Sequence, residues 1–212
     1  MYIAIEGVIG VGKTTLARLL QPAFRARLLL EVFEENPFLS DFYADRERYA
    51  FQTQIFFLLS RYHQQRRTVA ELLEQEDSLV ADYTFEKDAL FARINLKGDE
   101  LEMYYRVHEA LAEKIVVPNL IVYLRASTNV LMQRIAMRDR PYERNMERAY
   151  IAELNGAYED FFNDHQSRRS PVLAIETDEL DYVRDPEHLK WVENRIRQAL
   201  RLPPFQAELP LD

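Results

Sequence analysis

Five short apolar runs divide the chain, and each has the length expected of one buried strand. Longer segments between them carry apolar residues at helical spacing, as Phe51, Ile55 and Leu58 do within residues 48–73. The predicted strands are residues 2–5, 28–33, 78–82, 119–124 and 171–175. The predicted helices are residues 14–20, 48–73, 101–115, 130–137, 146–162 and 186–200.

This alternation of strands and helices predicts an α/β fold in which helices cover both faces of a parallel sheet. The length of 212 residues and the hydrophobic content of 48% suit one domain with a sizeable core. We therefore expect a single domain over residues 1–212. Residues 202–212, which contain three prolines, are expected to wrap the surface or fray.

The first predicted strand leads into residues 7–14, whose sequence matches the phosphate-loop pattern G-x-x-x-x-G-K-[ST]. Glycines let backbone N–H groups turn toward phosphate oxygens, and the following helix adds the positive end of its dipole. Lys13 is expected to neutralise the β- and γ-phosphates of ATP, and the Thr14 hydroxyl to hold Mg²⁺. The predicted ATP-binding residues of this loop are Gly7, Gly10, Val11, Gly12, Lys13, Thr14 and Thr15.

The charge and composition argue against several classes of protein. A net charge of −8 gives no basic field that would attract nucleic acid. The absence of cysteine excludes disulfides and thiolate chemistry and fits a reducing compartment. Glu6 and Lys13 interrupt the first apolar run, and no stretch approaches the ~20 apolar residues of a membrane span. We expect a soluble, cytoplasmic protein that binds neither nucleic acid nor a membrane.

A phosphate loop alone does not distinguish GTPases, motors and kinases. The chain lacks the guanine-reading tetrapeptide Asn-Lys-x-Asp and is short for a motor, so a small-molecule kinase is the economical interpretation. Such an enzyme must remove a proton from the acceptor hydroxyl. Glu31 and Asp82 end the second and third predicted strands, where catalytic groups of α/β sheets collect. Glu34 and Glu35 keep the region of Glu31 acidic, which favours a neutral acceptor over a nucleoside monophosphate.

Three arginines lie within seven residues near the end of a predicted helix: Arg134, Arg138 and Arg140. Their forked guanidinium groups suit the charge that is spread over a transferring phosphoryl group. Together with the phosphate loop, they predict an arginine-bearing lid at about residues 134–145.

The combination of motifs resembles the deoxyribonucleoside kinase family, in particular its bacterial deoxyadenosine/deoxyguanosine kinase type. The resemblance covers most of the chain and is carried by residues 3–15, 31–39, 51–61, 82–88 and 138–143. It implies a P-loop kinase fold with a five-stranded parallel sheet flanked by helices. It also implies ATP as the phosphate donor, Mg²⁺, and a homodimer that phosphorylates the 5′-hydroxyl of a deoxynucleoside.

The resemblance assigns the reacting groups. Glu31 would accept the proton of the 5′-hydroxyl, and Asp82 would bind Mg²⁺ with Thr14 or share the role of base. Arg138 would act in catalysis by clamping the phosphates together with Arg140. Arg134 would stack on adenine.

The resemblance also assigns the residues that would bind the nucleoside. Tyr43 and Glu143 would hold the 3′-hydroxyl. Gln54 would hydrogen-bond the base, while Arg61 and Asp88 would read its edge. Gln54 and Arg61 are two helical turns apart, so the sequence itself places them on one face of a helix.

The chain departs from the family at several positions. Many members carry Arg directly after the acid that ends the third strand, where this chain has Tyr83, and Lys87 is a candidate to replace the missing charge. Val32 stands where a proline usually follows the catalytic Glu. The spacing after Asp88 is one residue shorter than expected, which leaves open whether Asp88 or Lys87 faces the base.

Base preference and two other functions stay open at this point. An Arg–Asp pair suits adenine, guanine or cytosine better than thymine. The family type favours deoxyadenosine or deoxyguanosine, and deoxycytidine is the further candidate. The alternatives are a thymidylate kinase-like nucleoside monophosphate kinase and a non-catalytic P-loop regulator.

Overall fold

The computed structural model describes residues 1–32, 35–75, 78–163 and 170–203. Its centre is one five-stranded sheet in the order β2-β3-β1-β4-β5, in which every neighbouring pair is parallel. The predicted α/β fold is therefore confirmed. The strands are β1 (Tyr2–Glu6), β2 (Ala26–Leu29), β3 (Ser78–Ala81), β4 (Leu120–Arg125) and β5 (Val172–Glu176).

Helices follow the strands and flank the sheet, because the crossover between two parallel strands needs a dozen or more residues and usually contains a helix. They are α1 (Lys13–Phe24), α2 (Leu39–Ala44), α3 (Arg46–Glu74), α4 (Lys87–Asn95), α5 (Gly98–Ala112), α6 (Thr128–Arg138), α7 (Arg148–Asn163) and α8 (Pro186–Ala199), with a short 3₁₀ helix at Pro141–Glu143. Neither α2 nor α4 was predicted, because segments of six and nine residues are too short to establish a helical period.

The predicted position of the second strand was wrong. Residues 28–33 were expected, whereas β2 covers Ala26–Leu29 and ends two residues before Glu31. The strand lies at the edge of the sheet and its Arg27 is exposed, so it needs no continuous apolar run. Phe33 and Glu34 lie outside the described residues, as does the predicted tail beyond Pro203.

The boundaries of α5 also differ from the prediction. The helix begins at Gly98 and ends at Ala112, three residues before the predicted ends in each case. Asp99 and Glu100 occupy its first turn, where their negative charges interact favourably with the helix dipole. Polar residues that start a helix are not visible to a search for apolar spacing.

The long helix α3 brings two predicted base-binding residues beside the sheet. Its 29 residues begin after Asp45, whose side chain accepts a hydrogen bond from the backbone N–H of Arg48. Gln54 and Arg61, two turns apart, are both buried on the side of the helix that faces the core. The helix thus carries polar groups into the interior at a spacing that the sequence already indicated.

Glu6 at the end of β1 is fully buried and joins three parts of the fold. Its Oε1 accepts hydrogen bonds from the backbone N–H of Thr84, at 2.6 Å, and from the Thr84 hydroxyl, at 3.0 Å. Its Oε2 accepts from the backbone N–H of Gly7, at 3.1 Å, and from the Tyr158 hydroxyl on α7, at 3.2 Å. The carboxylate therefore fixes the start of the phosphate loop relative to the residues after β3.

We predict that Glu6→Gln destabilises the protein by about 3 kcal/mol or more, because the amide nitrogen would face N–H and O–H donors that are left unpaired. Urea unfolding followed by circular dichroism measures this loss. Tyr158→Phe, the matched control, removes one of the four hydrogen bonds and should cost about 1.5 kcal/mol. Equal stability of Glu6→Gln and the wild type would contradict the role assigned to this carboxylate.

Candidate active site

The phosphate loop lies at the carboxyl end of β1 and depends on glycine at two crowded positions. Gly7 and Gly12 have φ angles of 147° and 104°. A Cβ atom on Gly7 would lie 2.5 Å from the carbonyl oxygen of Leu124, and one on Gly12 would lie 2.5 Å from the Tyr182 hydroxyl. Both the backbone conformation and the available space therefore exclude larger residues.

Lys13 opens α1 and is held against the loop. Its Nζ donates to the carbonyl oxygens of Gly7, at 2.7 Å, and Val8, at 3.2 Å. Burial, reinforced by the nearby positive charge of Lys87, lowers the pKa of Lys13 to about 8. The ammonium group lies at the N-terminus of α1, where the helix dipole also favours a bound anion such as a phosphate.

Asp82 directly follows β3 and connects the phosphate loop to the segment after β2. One carboxylate oxygen accepts a hydrogen bond from the Thr14 hydroxyl, and the other accepts from the backbone N–H of Glu31, at 2.8 Å. Thr14 and Asp82 are the two residues predicted to hold Mg²⁺, and they lie in contact. Oxygen ligands of this kind, completed by phosphate oxygens, fit the preference of Mg²⁺.

Phosphate oxygens would be needed to complete such a metal site. Across the described ranges, no group of three or more His, Cys, Asp or Glu side chains could hold a metal ion. The protein's share of a Mg²⁺ site would thus be the Thr14 and Asp82 oxygens.

Glu31 lies between two cations. Oε1 accepts a hydrogen bond from Nε of Arg61, at 2.8 Å, and Oε2 accepts from Nζ of Lys87, at 2.6 Å. Burial alone would raise the pKa of Glu31. The charges and hydrogen bonds of Arg61 and Lys87 have a larger, opposite effect, so the pKa lies well below its usual range. The two cations therefore favour the ionised form of Glu31.

Arg61 also contacts a second carboxylate. Its Nη1 donates to Oδ1 of Asp88, which is completely buried, and its guanidinium lies 4.5 Å from the centre of the Phe57 ring. Oδ2 of Asp88 is buried and has no hydrogen-bond partner among the described residues. One arginine thus connects Glu31 to Asp88.

Residues of the predicted lid surround Glu143. Nη2 of Arg138 donates to Oε1 of Glu143, at 2.7 Å, and Nη1 of Arg140 lies 3.6 Å from the same oxygen. Glu143 is buried, whereas the two arginine side chains are about one-third exposed. Beside them, the rings of Tyr43 and Tyr142 stack at 6.1 Å with an angle of 10° between their planes.

Arg134 lies apart from this cluster. It donates to the carbonyl oxygen of Val11, at 3.2 Å, and to the hydroxyl and carbonyl oxygens of Thr177, at 2.9 and 2.6 Å. These contacts join α6 to the phosphate loop and to the residue after β5. Stacking of Arg134 on adenine stays a prediction.

A single pocket collects most of the predicted residues. Those that line it are Gly10, Lys13, Thr14, Glu31, Tyr43, Gln54, Arg61, Asp82, Arg138, Arg140 and Glu143. Those that are not part of its lining are Gly7, Val11, Gly12, Thr15, Asp88 and Arg134. Lys87 does line the pocket, whereas Asp88 lies behind Arg61.

Sequence reasoning missed several aromatic residues of the lining, among them Phe42, Tyr142 and Tyr158. Tyr142 directly precedes Glu143, a predicted site residue, and this proximity was the only sign in the sequence that Tyr142 would line the pocket. Phe42 and Tyr158 come from α2 and α7, and their spacing is that of ordinary core residues. Only the packing of the two helices reveals that they face the pocket.

The chain matches the deoxynucleoside kinase family over residues 3–201. It is 33% identical to the deoxyguanosine kinase of Bacillus subtilis (strain 168) over 201 residues, which cover 94% of this chain and 97% of that protein. It is 35% identical to the deoxyadenosine kinase of Dictyostelium discoideum over 205 residues, which cover 94% of this chain and 80% of that protein. The structure of deoxyadenosine kinase from M. mycoides with bound dCTP superposes with a TM-score of 0.79, at 25% identity, over 93% of this chain and all of that one.

The parallel sheet, the glycine-rich loop and the carboxylates at the strand ends define a phosphotransferase of the P-loop class. The match over almost the whole chain identifies the family within that class: this protein belongs to the deoxynucleoside kinase family. It is an enzyme that transfers phosphate from ATP to a deoxynucleoside. This assignment sets aside the nucleoside monophosphate kinase and the non-catalytic regulator.

We predict that the affinity for ATP falls as the pH rises above about 8. Lys13 loses its proton near that pH in the free enzyme, whereas a bound triphosphate raises its pKa, so binding takes up a proton. The affinity should decrease by up to about tenfold per pH unit between the two pKa values. Calorimetric titration from pH 7 to 9.5 measures it.

The matched variant for this experiment is Lys13→Met, which should bind ATP weakly with little dependence on pH in the same range. A constant affinity of the wild type from pH 7 to 9.5 would show that Lys13 does not titrate as described.

Proposed function

We propose that this kinase phosphorylates the 5′-hydroxyl of purine deoxynucleosides, deoxyguanosine or deoxyadenosine, with deoxycytidine as the remaining candidate. The observation that carries the proposal is Arg61, which lines the pocket with Gln54 and Lys13 and is paired with the buried Asp88 behind it. Two related kinases are named for deoxyguanosine and deoxyadenosine, and a third, from Bacillus subtilis (strain 168), is named a deoxyadenosine/deoxycytidine kinase.

The chemistry of the pair favours bases that carry an amino group. Arg61 donates hydrogen bonds, and Oδ2 of Asp88, which has no hydrogen-bond partner among the described residues, would accept one from a base that reaches past Arg61. Adenine, guanine and cytosine each offer an exocyclic amino group together with a ring nitrogen or keto oxygen that accepts. Thymine offers no amino group, so a buried acceptor would stay unpaired. Gln54 supplies a further donor and acceptor, and the Phe57 ring supplies apolar surface for a flat base.

Glu31 is proposed as the acceptor of the 5′-hydroxyl proton. Its low pKa makes it a weak base, but phosphoryl transfer passes through a loose transition state in which little proton removal is needed early. Its main contribution is then to orient the hydroxyl in line with the γ-phosphate. Asp82, which accepts the N–H of Glu31, holds this segment next to Thr14.

The remaining roles follow from charge. Thr14 and Asp82 would hold Mg²⁺, which neutralises charge on the β- and γ-phosphates when bound. Arg138 and Arg140 would clamp the phosphates in the manner of a lid, and Glu143 orients Arg138 through a 2.7 Å hydrogen bond. Tyr43 and Glu143 line the pocket next to these arginines and would hold the 3′-hydroxyl.

Assembly and location are also proposed rather than observed. We propose a homodimer in the cytoplasm that acts in nucleotide salvage, as the family resemblance implies. No helix among the described residues is long and apolar enough to cross a membrane. Light scattering in solution would test the homodimer, which predicts twice the chain mass of 25.1 kDa.

We predict that deoxyguanosine or deoxyadenosine has the highest kcat/KM. The kcat/KM of thymidine should be lower by about tenfold to one-hundredfold, because its base would leave one buried acceptor unpaired. An assay with ATP, Mg²⁺, the four deoxynucleosides and dTMP measures this. Asp88→Asn should lower turnover of the preferred nucleoside, whereas Asp99→Asn, at an exposed position on α5, should not. Turnover of dTMP alone would contradict the proposal, as would thymidine as the best substrate.

We predict that Glu31→Gln lowers kcat by about one-hundredfold to ten-thousandfold and leaves ATP affinity unchanged, since the neutral amide cannot accept the proton and loses the ion pairs with Arg61 and Lys87 that hold it in place to orient the hydroxyl. Steady-state kinetics and ATP titration measure the two quantities. Glu35→Gln, an exposed change on the same segment, is the matched control. Wild-type kcat in Glu31→Gln would move the role of base to Asp82.

A further inference from the structure

Lys87 occupies a position that is unfavourable for a lysine on two counts. It is the first residue of α4, where the helix dipole disfavours a cation, and it is only 5% exposed. A buried ammonium group costs free energy unless a partner compensates for its lost hydration. The compensation here is Glu31, whose Oε2 lies 2.6 Å from Nζ.

The surroundings of Lys87 hold the ammonium group in one place. Nζ lies 5.8 Å from the centre of the Tyr83 ring and 6.0 Å from that of Phe91, both within the range of cation–π attraction. The Tyr83 hydroxyl in turn donates to Oε1 of Gln64, at 2.6 Å, and Nε2 of Gln64 donates to the carbonyl oxygen of Leu30, at 2.8 Å. Tyr83 therefore supports Lys87 and, through Gln64, the backbone next to Glu31.

The two oxygens of Glu31 have different partners. Arg61 holds Oε1 and is itself tied to Asp88, whereas Lys87 alone among the described side chains holds Oε2 at hydrogen-bond distance. Lys87 and Glu31 line the same pocket as Lys13 and Asp82. The direction of Oε2 within that pocket thus depends on Lys87.

We propose that Lys87 is the positioning residue for Glu31: it fixes the carboxylate in the orientation that receives the acceptor hydroxyl, and Tyr83 holds Lys87 in place. The inference rests on the proposed role of Glu31 in nucleoside phosphorylation. Lys87 acts through Glu31, so its loss should affect the rate of the chemical step far more than binding of the nucleoside.

Three variants test this inference by steady-state kinetics with the preferred deoxynucleoside. Lys87→Met should lower kcat by about one-hundredfold while KM for the nucleoside changes by less than about threefold. Lys87→Arg, which keeps the charge, should have a kcat at least about tenfold higher than that of Lys87→Met. Lys97→Met, at an exposed lysine just before α5, is the matched control and should behave as the wild type.

Several results would overturn the inference. They are an unchanged kcat in Lys87→Met, a change in KM alone, or equal losses in Lys87→Met and Lys87→Arg. If circular dichroism shows that Lys87→Met does not fold, Lys87→Gln, which is neutral and polar, replaces it in the same comparison. A wild type that phosphorylates no deoxynucleoside would instead defeat the proposed function, so the two failures are distinguishable.

Discussion

The ion pairs of Glu31 are the interaction on which the arrangement of the pocket depends. Glu31 follows the edge strand β2 in a segment without regular structure, so its backbone alone does not define where its side chain points. Arg61 from α3 and Lys87 from α4 fix both carboxylate oxygens. Through these contacts two helices and the residues after an edge strand are joined at the carboxyl end of the sheet.

Ion pairs of this kind are weak evidence for stability, because desolvation of two buried charges offsets most of their attraction. Several of them nevertheless lie in the pocket or directly behind its lining: Glu31 with Arg61 and Lys87, Asp88 with Arg61, and Glu143 with Arg138. Apolar residues of similar volume would pack at least as well. We attribute these charges to function, since a triphosphate and an acceptor hydroxyl need charges that are already fixed in place.

The parts of the site that lie close together in sequence could be predicted from it. Gly7, Gly12 and Lys13 form one motif, and the separation of Gln54 from Arg61 is two turns of a helix that strong apolar spacing had indicated. Asp82 was predicted because a buried strand ends immediately before it. In each case a local pattern determines a local geometry, and burial of the apolar face then brings the polar residues to the pocket.

The parts that depend on packing between distant elements could not be predicted. The edge strand β2 lacks the apolar run of a central strand, so its start was missed. The short helices α2 and α4 have too few turns for a period to be read. Nothing in the sequence shows that Phe42 and Tyr158 face the same pocket. Such contacts depend on how several helices pack at once against the sheet.

The double attachment of Arg61 has a consequence for the evolution of base preference. Nη1 contacts Asp88, while Nε contacts Glu31, so the residue proposed to read the nucleobase also holds the proposed proton acceptor. A change at Asp88 that altered base preference would also alter the force on Arg61 and thus the orientation of Glu31. The second cation, Lys87, limits this coupling because it holds the other oxygen of Glu31 independently of Arg61. Two cations on one carboxylate thus let the base pocket vary while the proposed proton acceptor keeps its orientation.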